Sequence, residues 1–147
     1  MQLQLQAIDH KATKRKVEAI LRQYRIYLLQ VSLDKLPSIT AKYMLVPSAS
    51  NQVKSSTEKA AIANVDYEME RNRFIDLVVG AVNRLSNEER RLVILRYFGE
   101  EEWFDYQVYN ELNISERHYY RLKANALNKL AFALKVEVYQ EKETHAD

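Results

Sequence analysis

Two glycines and two prolines in 147 residues leave this chain with few ways to reverse direction sharply. Sandwiches and barrels need a tight reversal at nearly every strand end, and those reversals draw on glycine and proline for backbone angles that other residues resist. Helices joined by a few connections are the architecture that remains. With 47% hydrophobic residues, a chain of this length can bury one ordinary core or two small ones. An all-α fold is expected.

Several kinds of chemistry are excluded early. Cysteine is absent, which removes disulfides, thiolate zinc sites and thiol nucleophiles and fits a reducing compartment. His10, His118 and His145 lie far apart and none has a second ligand at a metal-binding spacing, so no metal is expected. Two isolated glycines cannot build a phosphate-cradling loop. The chain reads as a non-enzyme with no cofactor and no small-molecule substrate. Met1 to Gln6 alternates polar with apolar, unlike a signal peptide, and apolar stretches such as Ile75 to Val82 stop well short of the roughly 20 residues that span a bilayer. No membrane partner is expected, and a cytoplasmic location is.

The net charge of +2 is small, but its distribution is uneven. Residues 1–64 hold 10 Lys/Arg against 4 Asp/Glu and residues 65–147 hold 12 against 16, giving +6 and −4. Within the acidic part, Asn113 to Val136 is basic again, with Arg117, Arg121, Lys123, Lys129 and Lys135 against Glu116 alone.

Two regions follow from the pattern: residues 1–56, a basic helix and linker, and residues 57–147, a long helix followed by a helical DNA-binding unit. Asp9 is placed to cap a first helix running to Val31, because Val17, Ile20, Leu21, Tyr24, Leu28 and Val31 recur at spacings of three and four. Lys11, Arg15, Arg22 and Arg25 trace a second stripe, either a solvated face or a secondary contact for a phosphate backbone or an acidic partner. Pro37, Pro47 and the polar runs Ser48 to Gln52 and Ser55 to Thr57 mark residues 32–57 as a linker, either an ordered strap or a tether. A long helix is expected from Ser56 or Thr57 to Leu85, with Ile62, Val65, Met69, Phe74, Val78, Ala81, Val82 and Leu85 inward and Gly80 a point of weakness.

Beyond Leu85 the signals become dense. Ser86 and Glu89 form a capping box, and Gly99 supplies a helix stop of the kind that uses a left-handed glycine. Leu92, Val93, Leu95 and Tyr97 face a core. After the acidic loop Glu100 to Phe104, Asp105 caps a short helix carrying Val108, Tyr109 and Leu112. Asn113-Ile114-Ser115 then gives a turn residue, an apolar plug and a new N-cap. The last helix buries Tyr119, Leu122, Ala126, Leu127, Leu130 and Leu134 and leaves Glu116, Arg117, Tyr120, Arg121, Lys123, Asn125 and Asn128 outside. A short helix, a turn and a longer helix with cations at its start are what major-groove docking requires. Arg117 and Arg121 are the expected base readers, with Glu116 accepting from cytosine and Tyr120 contacting a thymine methyl or a phosphate. Ser115, His118, Lys123 and Lys129 are assigned to the phosphates.

Leu85-Ser86-x-x-Glu89-Arg90, Leu95 to Phe98, Ser115-Glu116-Arg117 and Ala126-Leu127-x-x-Leu130 resemble the promoter-reading C-terminal domain of bacterial sigma factors. Over nearly the whole chain the sequence resembles the ArpU family of phage-encoded transcriptional regulators, through Lys11-Ala12-Thr13, Leu45-Val46-Pro47, Ser55 to Glu58, Val65 to Glu68 and Ser115-Glu116-Arg117-x-Tyr119-Tyr120-Arg121-x-Lys123. That resemblance implies a double-stranded-DNA-binding activator of late phage or prophage genes in the cytoplasm of a bacterial host, with host RNA polymerase as a partner and homo-oligomers as an option. Glu116, Arg117 and Arg121 match positions from which sigma-like domains read bases. Two other readings compete: a phage terminase small subunit serving DNA packaging, and a helical adaptor that binds protein through its basic N-terminal face.

Overall fold

The computed structural model describes residues 7–47 and 59–141, with side chains in the second stretch described from Val65 onward. The Ile62 side chain, Ser48 to Gln52 and the expected helix start at Ser56 or Thr57 lie outside what is described.

Helix α1, His10–Gln30, starts where expected because the Asp9 carboxylate accepts the Ala12 amide at 3.0 Å. Its stripe of Val17, Leu21 and Tyr24 is buried. A 3-10 turn at Leu33–Lys35 leads into a two-stranded antiparallel ribbon, β1 (Ser38–Ile39) and β2 (Leu45–Val46), with Ser38 opposite Val46 and Ile39 opposite Leu45. Tyr43 turns the chain at a φ of 58°. Part of the expected linker is thus an ordered strap. The Asn83 carboxamide accepts the Leu45 amide at 2.9 Å and donates to the Leu45 carbonyl at 2.7 Å, while the Leu45 side chain is buried.

Helix α2, Lys59–Asn83, passes through Gly80 without a break. Val78, Ala81, Val82 and Leu85 are buried as expected, and Ile75 and Val79 join them. The expectation for Met69 is corrected, since it is 49% exposed. At that level Tyr27 of α1 packs edge-on against Tyr67 and Phe74 of α2, which leaves the Met69 side uncovered.

Helix α3 (Asn87–Tyr97), helix α4 (Asp105–Glu111) and helix α5 (Glu116–Leu134) complete an all-α fold. The capping box forms as expected: the Ser86 hydroxyl accepts the Glu89 amide at 3.3 Å and the Glu89 carboxylate accepts the Ser86 amide at 2.9 Å. Gly99 acts differently from the expectation. No glycine has positive φ. A Cβ on Gly99 would sit 3.2 Å from the Glu101 carbonyl, so close backbone approach is what favours glycine there. The α4 start is also corrected. Phe104 is the cap residue, and its amide donates to Gln107 Oε1 at 2.8 Å. Asp105 is inside the first turn, its carboxylate engaged elsewhere.

A single hydrophobic core draws Val17, Leu21 and Tyr24 from α1, Val78 and Val82 from α2, Leu92 and Val93 from α3, Val108 from α4 and Tyr119, Leu127 and Leu130 from α5. The chain beyond α5 returns to α1. Asp9 donates to the Val138 carbonyl at 2.8 Å, Gln140 donates to the Ala7 carbonyl at 2.8 Å, and Ile8 and Tyr139 stand opposite each other. The buried Thr13 hydroxyl is satisfied by the Val138 amide at 3.0 Å.

Candidate nucleic-acid interface

Between α4 and α5 the backbone must turn within three residues. Asn113 does this at a φ of 55°, a left-handed angle that asparagine tolerates better than most residues. Ile114 packs against the core, and its amide donates to the Tyr109 carbonyl at 3.1 Å. Ser115 then caps α5, accepting the His118 amide at 3.1 Å. That bond uses an oxygen lone pair and leaves the hydroxyl hydrogen available to an acceptor such as a phosphate.

The first turns of α5 have two faces. Tyr119 is fully buried, and its hydroxyl donates to the Asp105 carboxylate. Glu116, Arg117, His118, Tyr120 and Arg121 are exposed. Among the described residues neither Arg117 nor Arg121 is in an ion pair. Two guanidinium groups one turn apart thus stand in solvent on a helix whose opposite side is anchored in the core. The expected base-reading set Glu116, Arg117, Tyr120 and Arg121 shares this outward end, with Ser115 and His118 beside it.

Lys123 does not join them. It is only 4% exposed, and its ammonium donates to Asp105 Oδ1 at 2.9 Å. Its assignment to phosphate is corrected: it lies on the buried stripe between Tyr119 and Ala126, where only a fixed carboxylate compensates its charge. The same oxygen accepts Arg96 Nε at 3.0 Å, and Arg96 reaches Glu102 at 3.4 Å. Asp105 therefore joins the end of α3, the start of α4 and the middle of α5. Burial alone would push its carboxyl up, but the Tyr119 hydroxyl, the Lys123 ammonium and Arg96 outweigh that and hold it below its ordinary range. This network was missed from sequence. Its signal was a lysine four residues after Tyr119 and three before Ala126, on the apolar stripe itself.

Lys129 remains on the surface with 58% of its side chain exposed, and its ammonium also lies 2.9 Å from Glu89 Oε1, a carboxylate that is itself nearly inaccessible. Burial raises the Glu89 carboxyl, and the Ser86 bonds with Lys129 more than reverse this, leaving it lowered. On α1, Lys11, Arg15 and Arg22 are exposed as expected. Arg25 departs from that face: its guanidinium donates to the Glu100 carbonyl at 2.8 Å and the Tyr97 carbonyl at 3.5 Å, tethering the end of α3.

The unit is thus a helix anchored in the core that presents, from its capped N-terminus, two arginines with no ion-pair partner among the described residues. The sequence is similar over nearly its whole length to phage proteins. It is 29% identical over 136 residues to an uncharacterized phage-related protein of Listeria innocua, covering 92% of this chain and 95% of that protein. It is 27% identical over 136 residues to protein Gp66 of Listeria phage A118, covering 92% and 93%. No family model and no solved structure matches the chain. Among the described residues no helix is long and apolar enough to cross a membrane.

Proposed function

We propose that the protein is a sequence-specific double-stranded-DNA-binding regulator of phage or prophage genes, an activator acting without enzymatic chemistry in the cytoplasm of the bacterial host, with host RNA polymerase as a partner. The observation that carries this reading is the outward N-terminal end of α5, where Arg117 and Arg121 stand exposed and unpaired while Tyr119 and Lys123 on the same turns are buried. A helix anchored on one side and cationic on the other fits a major groove by its amino end. Arginine there donates two hydrogen bonds to guanine, Glu116 and Tyr120 read neighbouring bases, and Ser115 and His118 meet phosphates. The resemblance to ArpU-family regulators and the similarity to phage proteins support the same direction.

Selection of tight-binding duplexes from a random pool, followed by titration at two salt concentrations, tests it. Arg117→Ala and Arg121→Ala are each expected to cost about 1–3 kcal/mol at the selected site and to relax its sequence. Wild-type specificity in both variants would overturn the assignment of α5. A ring oligomer that binds only a packaging sequence would favour a terminase small subunit, and absence of duplex binding at physiological salt would favour a protein adaptor.

A further inference from the structure

The start of α1 carries more positive charge than the fold requires. His10, Lys11, Lys14, Arg15 and Lys16 fall within seven residues and all are exposed. Among the described residues none of the three lysines or Arg15 is in an ion pair. The acidic groups nearest in sequence are already occupied: Asp9 accepts the Ala12 amide, and Glu18 accepts the Tyr97 hydroxyl at 3.3 Å.

Position makes this cluster informative. Arg117, Arg121, Ala124 and Asn128 lie along one side of α5, at the spacings of three and four that align residues on a helix. His10 Nδ1 is 3.5 Å from Asn128 Nδ2, so α1 begins against the far end of the row that Arg117 and Arg121 open. Asn128 is seven residues beyond Arg121, about 10 Å along the axis. The major groove is about 8.5 Å deep. When the amino end of α5 is aimed at base edges, the row leads outward from the groove through Asn128, and α1 starts at that outer end, on the side of the phosphates. Lys14 is one turn from His10 on the same side. Lys11 and Arg15 form the adjacent row, on the flank where Glu18 and Arg25 reach toward α3.

We propose that Lys11, Lys14 and Arg15 form a second DNA contact, gripping duplex phosphates outside the groove that α5 occupies. It rests on the reading of α5 as the recognition helix and adds a partner surface that contributes affinity without sequence information. The contact lengthens the footprint on the Asn128 side.

The test compares wild type with the triple variant Lys11→Gln/Lys14→Gln/Arg15→Gln, by anisotropy titration on a selected duplex of about 30 base pairs, on versions shortened from either end, and on a scrambled duplex. These side chains are exposed, so thermal melts of the two proteins are expected to coincide. On the long duplex at about 100 mM salt the variant is expected to bind roughly tenfold or more weakly, with a salt slope shallower by about 2 to 3. Its discrimination between selected and scrambled duplexes is expected to stay at the wild-type value. Shortening one end is expected to weaken wild type where the variant is unaffected. Unchanged affinity and slope would overturn the inference, as would loss of discrimination in the variant. If that happens while Arg117→Ala still abolishes discrimination, the α5 reading stands and only the second contact falls. If wild type binds no duplex at all, both fall.

Discussion

Asp105 shows how one carboxylate can tie together the end of α3, the start of α4 and the middle of α5. Three donors converge on it, and the ammonium of Lys123 has almost no access to solvent. Replacing Asp105 by alanine strands that charge, and a loss on the order of 3 kcal/mol is expected, read by urea unfolding. Lys123→Met removes the buried charge with it, so a smaller loss is expected. Under the proposed DNA-binding function, Lys123→Met is expected to match wild type in duplex titration, whereas loss of a phosphate-contacting lysine would lower affinity. The acid limb of stability has a definite sign. Asp105 and Glu89 titrate below their ordinary values of 3.8 and 4.5 in the folded chain, so the unfolded chain takes up protons first as pH falls. Their contribution is complete above those ordinary values and is lost as pH drops through the folded ones. Unfolding midpoints are expected to decline below about pH 4.5, and less steeply in Asp105→Ala.

At the level of elements, the turn before α5 sets where the outward arginines point. Asn113 holds a φ of 55°. Asn113→Gly is expected to leave stability within a few tenths of a kcal/mol. Asn113→Val is expected to cost about 1–2 kcal/mol, because a β-branched side chain meets the following carbonyl there. Thermal melts of the two variants give the comparison. This turn was legible in the sequence, as were the Asp9, Ser86 and Ser115 caps, because each depends on residue types within four positions of one another. The core stripe of α1 was legible through its periodicity. The identity of the outward cations was only partly so. Lys123, Lys129 and Arg25 sit at surface-like or ambiguous periods, yet each is claimed by a group 18, 40 or 75 residues away. Helical period reports which side a residue takes on its own axis and says nothing of what another element brings to it. Met69 was misread for the same reason, through a missing neighbour, whereas Gly99 was read as a left-handed stop when what favours it is close approach to the Glu101 carbonyl. The ordered ribbon was undecided in sequence because Asn83, which clamps Leu45, is 38 residues away.

For the molecule as a whole, α1 belongs to the same core as the helices that follow, through Val17, Leu21 and Tyr24. A chain truncated before residue 57 is therefore expected to lose cooperative unfolding and to bind a hydrophobic dye, since burying apolar area is the main source of folding energy. The return of residues 138–140 to residues 7–9 has a practical consequence. The amides of Asp9 and Gln140 bond across on either side of Ile8 and Tyr139, which makes those two a narrow antiparallel pair of the kind whose α-carbons lie about 4.5 Å apart. That spacing suits a covalent bridge. Since the chain has no cysteine of its own, Ile8→Cys with Tyr139→Cys should oxidise to a single product, a ring of about 130 residues that melts higher than its reduced form by an amount equivalent to about 4 kcal/mol. Reductant would then cut that ring and return the fold to the stability of its open chain, and an oxidant would close it again.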